Sequence, residues 1–326
     1  MTAGWREAVG AVLDAPGTVV MLGAVDVGKT TAATALANAA LRAGCRTAVV
    51  DSDTGQSDLG PPTTVGLGMP DRPVRRMSEM PLLAAFFVGD TSPRDCYRFL
   101  LEGTIRLIAR ARARGVQAVV VNTTGWVEGA AAVAAKVTKI RRIGPRHVIA
   151  IQRADEVEPI LARLPASINV HRLRPSRDAR LRSPEERRAY REHRFGRYLA
   201  RARPFVLDLT LLPGERPVWY AGRRIPPARI LAEVPPRLLC HLLVGLAGRD
   251  GYLLALGTVA DVHPAASRVN VLAPLRSLAG VRTLQWGALR VAPSGREEGH
   301  LPVYRAPRRA DLVPHAEQSS DEAPAW

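Results

Sequence analysis

Apolar residues in the first half of the chain come in short unbroken blocks separated by longer stretches of helical period. The first block, Thr18–Leu22 (T-V-V-M-L), predicts a buried strand, and the alanine-rich stretch that begins at Thr30 predicts a helix. Blocks at 46–50 and 117–121 predict two more strands, and the strand and helix patterns go on alternating to about Val170. Such alternation predicts an α/β fold, a mostly parallel sheet flanked by helices. After Pro204 the pattern changes to short runs divided by Gly or Pro, at 205–211, 218–225, 253–259, 268–272 and 281–291, which predict a small C-terminal β-rich domain. The expected organisation is thus a domain over 1–203, a β-rich domain over 204–310 and an acidic tail over 311–326. In that tail Asp311, Glu317, Asp321 and Glu322 have no Lys or Arg beside them, a composition that predicts disorder. A chain of 326 residues buries a core comfortably as one large or two modest domains.

Between the first strand and its helix lies G-A-V-D-V-G-K-T, residues 23–30. Strand, glycine loop and helix in this order make a phosphate-binding loop and predict a P-loop NTPase: successive backbone N–H groups cradle the phosphates of ATP, Lys29 reaches the terminal phosphates, and the Thr30 hydroxyl ligates Mg²⁺. The nucleotide-binding set is Gly23, Ala24, Val25, Asp26, Val27, Gly28, Lys29, Thr30 and Thr31. The strand at 46–50 runs into Asp51-Ser52-Asp53-Thr54-Gly55-Gln56-Ser57-Asp58. Acids at a strand's carboxyl end face the nucleotide crevice of an open α/β sheet. One such carboxylate can hold the metal's water shell and another can accept a proton from an attacking hydroxyl. The strand at 117–121 ends in Asn122-Thr123-Thr124-Gly125-Trp126. Many P-loop ATPases carry a metal-supporting Asp there; its absence leaves metal support to Thr30 and the Asp51/Asp53 pair.

Four ordered motifs, G-x-x-D-x-G-K-T, D-x-D-x-G-Q-S-D-x-G-P-P, F-x-V-G-D-T-S-P (86–93) and N-T-x-G-W, resemble those of the polynucleotide 5′-hydroxyl kinase family of RNA-processing proteins, from Trp5 to about Pro307. The resemblance implies transfer of the γ-phosphate of ATP to the 5′-hydroxyl of RNA, in some members DNA. It makes Asp53 the acid that activates the 5′-hydroxyl, with Asp51 left to the metal. It places Gln56 at the substrate, and gives Thr123 and Gly125 to the segment that clasps the phosphate chain. The dipeptides Val244-Gly245 and Leu256-Gly257 resemble the family's C-terminal module. Relatives stack an aromatic on the terminal base, and no Trp or Tyr occurs between Val127 and Tyr190.

The family's arginine-bearing lid has its counterpart at 172–203, where twelve Arg face four acids and carry half of the chain's formal net charge of +16. Ser183-Pro184-Glu185-Glu186 is a capping box with Pro at the first helical position, so a helix starts there. Arg187, Arg191 and Arg194 fall on one face of it. By the resemblance Arg182 and Arg187 close over the transferring phosphoryl group, carried together by a hinge movement of the helix, while Arg191 and Arg194 meet the nucleic-acid substrate.

Composition changes the picture in one respect. Of 46 basic residues only Lys29, Lys136 and Lys139 are lysine, a bias that signals a GC-rich genome and weakens the pI of about 11.0 as evidence for nucleic acid. The uneven distribution is better evidence, because residues 1–60 hold four basic side chains against six acids. Cys45, Cys96 and Cys240 are too few and scattered for a disulfide framework or a thiol metal cluster, which fits a reducing cytoplasm. No apolar run is long enough for a membrane span, and Glu7 and Asp14 interrupt any signal-peptide core. Protein partners are not legible. Two rival readings are a dethiobiotin-synthetase-like enzyme, which lacks the second and fourth motifs, and an ATP-binding assembly subunit without kinase activity.

Overall fold

The computed structural model describes residues 3–94 and 96–301. The expected tail at 311–326 lies outside the described residues. Strands β1 (Thr18–Leu22), β2 (Thr47–Ser52), β5 (Ala118–Thr123), β6 (His147–Ile151) and β7 (Asn169–Leu173) form a parallel sheet in the order β2-β5-β1-β6-β7. The first four are buried at every position, which is why their sequences are unbroken apolar blocks and not alternating ones. Helices α1 (Ala3–Asp14), α2 (Lys29–Arg42), α3 (Tyr97–Arg112), α4 (Ala130–Ile143) and the single turn α5 (Glu158–Leu161) connect and cover the strands.

Strands in both halves of the chain were not visible in the pattern, β3 (Thr64–Gly68) and β4 (Leu82–Phe87) in the first and β9 (Gly214–Glu215), β12 (Leu242–Ala247) and β16 (Glu297–His300) in the second. β3 and β4 extend the sheet antiparallel beyond β2. The C-terminal strands then continue the same sheet, because β13 (Leu253–His263) meets β4 through the pair Leu253 and Ala85. The remaining ones are β8 (Arg203–Asp208), β9, β12, β14 (Arg268–Ala273), β15 (Thr283–Val291) and β16, while β10 (Val218–Tyr220) and β11 (Arg223–Ile225) form a separate two-stranded sheet. The run at 218–225, expected to be one strand, is a hairpin, since Ala221 (φ 51°) and Gly222 (φ 74°) adopt the two left-handed conformations of a tight turn.

The C-terminal strands have their own apolar core, with Leu207, Ile230, Val244, Val259 and Trp286 among its members. A second cluster joins them to the rest: Phe195 and Leu199 of α6 (Pro184–Leu199) pack with Phe87 on Leu243, Leu256, Leu289 and Val291. The predicted capping box is present at the start of α6, where Ser183 accepts from the Glu186 N–H and Glu186 accepts from the Ser183 N–H. This helix therefore sends Arg187 and Arg194 to the loops of the parallel sheet while its apolar residues rest on the C-terminal strands.

Candidate functional site

The segments that follow β1 and β2 and the segment that leads into α6 enclose a cavity of about 270 Å³. Six residues of the phosphate-binding loop line it: Val25, Asp26, Gly28, Lys29, Thr30 and Thr31. Gly28 has φ 91° and sits at the N-cap of α2, a conformation glycine adopts without strain and one that turns the first helical N–H groups toward the cavity. Facing the loop are Asp53 and Gln56 from the acidic segment, and Asp178, Ala179, Arg180, Arg182 and Arg187 from the segment that leads into α6. Residues 150 positions apart in sequence thus converge on one volume.

Lys29 is buried and donates to the Ala24 carbonyl at 2.6 Å. Burial lowers its pKa to about 8, against the pull of Asp53 and Asp26. Asp53 lines the cavity and accepts from the Gln56 N–H at 3.2 Å. Burial raises its pKa, and the charges of Lys29 and Lys136 draw it back. Gln56 donates to the Gly55 and Arg187 carbonyls, and its own carbonyl oxygen has no partner among the described residues. Asp53 and Gln56 therefore line the cavity together with the phosphate-binding loop.

Asp51 departs from expectation. It is fully buried and its two oxygens accept from four donors: Asn122 Nδ2 (2.9 Å) and the N–H groups of Asp53 (3.3 Å), Asp58 (2.6 Å) and Leu59 (3.1 Å). Its lone pairs are filled and it does not reach the cavity, so its geometry is that of an organiser of the acidic loop and not of a metal ligand. Burial, with Asp58 and Asp53 nearby, pushes its pKa up to about 7. Asn122 links it to the phosphate-binding loop, since the same amide nitrogen lies 3.3 Å from Thr30 Oγ1. Asn122 occupies the position where an Asp was sought.

Thr123 and Gly125, expected at the phosphate chain, also lie behind the cavity surface. The Thr123 hydroxyl is buried and donates to the Met21 carbonyl at 2.7 Å. A Cβ on Gly125 would come within 2.5 Å of Val25 N, so this glycine lets the segment press directly on the phosphate-binding loop. Gly23, Ala24 and Val27 support the loop from below: Val27 is core, Ala24 takes the Lys29 hydrogen bond, and a Cβ on Gly23 would collide with the Ile151 carbonyl at 2.3 Å.

Both lid arginines converge on one loop carboxylate. Arg182 donates to Asp26 from its backbone N–H (3.0 Å), Nε (2.9 Å) and Nη2 (2.7 Å), and Arg187 Nη1 reaches the other side at 3.3 Å. Burial works to raise the Asp26 pKa, and the hydrogen bonds and charges of the two arginines outweigh it, holding the carboxyl below its ordinary range. Arg191 and Arg194 do not face the cavity. Arg191 forms a two-pronged ion pair with Glu297 of β16 (2.5 and 2.9 Å), and Arg194 caps the carbonyls of Asp58 and Gly60 (3.0 and 2.7 Å). Tyr190, on the same helix, donates to Asp58 at 2.6 Å. These contacts dock α6 on two sides in this conformation, with Arg182 and Arg187 at its N-terminal end beside the phosphate-binding loop.

Three basic residues that sequence reasoning left out stand around this site. Arg153 donates to the carbonyls of Val25 and Asp26 (3.4 and 3.0 Å) and braces the loop. Lys136 and Lys139 of α4 are buried beneath the ends of β5 and β2. Their signal was in the composition: a chain that writes 43 of its 46 basic residues as Arg keeps three lysines, and all three are buried at this site.

The matching family model, mRNA cleavage and polyadenylation factor CLP1 P-loop, covers residues 23–201, and the chain belongs to that family. A polyribonucleotide 5′-hydroxyl-kinase of Pyrococcus furiosus is 28% identical over 89% of this chain and 92% of its own length. Its counterpart in Thermococcus kodakarensis is 30% identical over 88% and 91%. A solved structure of Clp1p with its Pcf11p interface has a TM-score of 0.66 over 86% of this chain and 77% of that one, at 13% identity, a likeness of fold.

Proposed function

We propose that this protein is an ATP-dependent polynucleotide 5′-hydroxyl kinase acting on RNA ends. The observation that carries the reading is the meeting of a proton acceptor, a phosphate-binding loop and two arginines in one cavity: Asp53, Lys29 with Thr30, and Arg182 with Arg187. The names of the archaeal relatives support the same activity. In the step envisaged, the 5′-hydroxyl oxygen forms a bond to the γ-phosphorus of ATP as the bond to the β-phosphate oxygen breaks, ADP leaves, and Asp53 takes the hydroxyl proton. Lys29 and the lid arginines neutralise charge on the phosphoryl oxygens, where fixed donors contribute most in the transition state.

The cavity also suits Mg²⁺, which keeps several waters and takes one or two protein oxygens besides phosphates. Thr30 offers a hydroxyl oriented by Asn122, and no group of three or more His, Cys, Asp or Glu among the described residues forms a closed cage that would favour another metal. Thr30 would hold the ion, and Asp53 lines the same cavity. The metal would supply charge neutralisation at the phosphates.

A cytoplasmic setting belongs to this reading. Among the described residues no helix is long and apolar enough to cross a membrane. The assembly-subunit alternative is disfavoured by the completeness of the catalytic set. Incubating the purified protein with γ-labelled ATP, Mg²⁺ and matched 5′-hydroxyl RNA and DNA oligonucleotides should label the RNA end. ATP binding with no label on either polymer would sink the kinase reading and favour an assembly role.

A further inference from the structure

Lysine is the exceptional basic residue of this chain, and two of its three copies lie one helical turn apart on the buried face of α4. Lys136 Nζ reaches Thr123 Oγ1 (3.1 Å), Thr124 O (2.5 Å) and Thr124 Oγ1 (3.1 Å), three acceptors for the three N–H bonds of an ammonium. Lys139 donates to Ser52 Oγ, which lies 3.0 Å from Thr104 Oγ1 on α3. Ser52 immediately precedes Asp53, and Thr124 immediately precedes Gly125, the residue pressed against Val25 of the phosphate-binding loop. One helix face therefore grips the strand end that carries the proton acceptor and the strand end that abuts the phosphate-binding loop.

We propose that Lys136 and Lys139 are positioning residues for phosphoryl transfer, α4 acting through the hydrogen bonds of their side-chain nitrogens to fix Asp53 in register with the phosphate-binding loop. Neither lysine lines the cavity, so neither is placed to touch substrate. An arginine would not serve in place of Lys136, since its planar fork cannot direct three donors from one atom into so small a space. A displacement of about 1 Å at a reacting group can lower a rate on the order of a hundredfold, and a loosened Ser52 shifts Asp53 directly.

This inference rests on the kinase reading, and wild-type labelling, run alongside, tests that reading by itself. The test of the pair is a double-mutant cycle with Lys139→Met and Ser52→Ala, read as kcat at saturating ATP and RNA and as the Kd for ATP by calorimetry. Each single variant should lower kcat by roughly 10- to 100-fold and leave the Kd for ATP within about twofold. The double variant should be no worse than Lys139→Met alone, because both remove one contact. Lys136→Met, which frees the segment against the loop, should instead raise the Kd for ATP together with a fall in kcat. A folded Lys139→Met protein with kcat within twofold of wild type, or losses that multiply in the double variant, would overturn the proposal. Should Lys139→Met fail to fold, Ser52→Ala with unchanged kcat overturns it equally.

Discussion

Asp51 and Asp53 stand two residues apart, yet β2 ends at Ser52, so Asp51 is still held in the strand with its carboxylate in the loop interior while Asp53, past the strand end, lines the cavity. Asp53→Asn should therefore reduce kcat by ~10² or more with little change in ATP affinity, since the acceptor needs a base and bound ATP does not. Single-turnover rates beside ATP titrations would decide this, and near-normal kcat would remove Asp53 from the role. Asp51→Asn should act on folding instead, losing roughly 1–3 kcal/mol in urea denaturation as buried N–H groups lose acceptors. Arg182→Ala and Arg187→Ala should each lower kcat by ~10², because both guanidinium groups meet at Asp26 of the phosphate-binding loop and both residues line the cavity. The lysines carry a pH signature. Burial lowers the pKa of Lys29 to about 8 and of Lys139 to about 7, and that of Lys136 well below the ordinary value. Between about pH 8 and 10 the unfolded chain then binds more protons than the folded one, so stability rises with pH. Chemical denaturation across this window should show that rise, and Lys139→Met should flatten it; a slope unchanged by the substitution would mean that Lys139 titrates normally.

At the level of elements, α6 joins the acidic loop to the C-terminal strands. Arg194 and Tyr190 hold the loop, while Arg191, Phe195 and Leu199 hold the strands. Gly295 (φ 94°) allows the tightest approach, a Cβ there falling 2.3 Å from Gly196 N. The C-terminal module thus has a mechanical task, keeping the start of α6 over the phosphate-binding loop. A double-mutant cycle on Arg191 and Glu297 should give a coupling of roughly 1–3 kcal/mol in stability, because both side chains are largely buried. Arg194→Ala should cost stability and loosen the acidic loop, leaving the salt dependence of the acceptor KM nearly unchanged. A marked loss of that salt dependence would return Arg194 to the nucleic-acid surface.

For the molecule as a whole, the sheet that runs from β7 to β16 through the junction of β4 and β13 argues against two freely separable domains. Ending the chain after Arg203 would bare Phe87, Phe195 and Leu199 and leave the edge of β4 unpaired, so the fragment should aggregate and fail to phosphorylate RNA. Size-exclusion chromatography with a labelling assay would settle it; a monodisperse, active fragment would show that the module is dispensable. The sequence by itself determined what is local: buried parallel strands appear as apolar blocks, the phosphate-binding loop depends on residues adjacent in the chain, and the α6 cap is a four-residue signal. It also displayed the lysine bias around Lys136 and Lys139, though not where those side chains lie. Only the tertiary structure decided what depends on distant partners. Asp51 turned inward because backbone N–H groups up to eight residues away fill its lone pairs, and Asn122 joined it to Thr30 across two strands. Arg191 and Arg194 left the substrate surface because Glu297 and the Asp58 and Gly60 carbonyls, all over a hundred positions away, claimed their donors. A side chain's type and spacing reveal what it is able to bind, whereas the three-dimensional packing fixes which of its possible partners it meets.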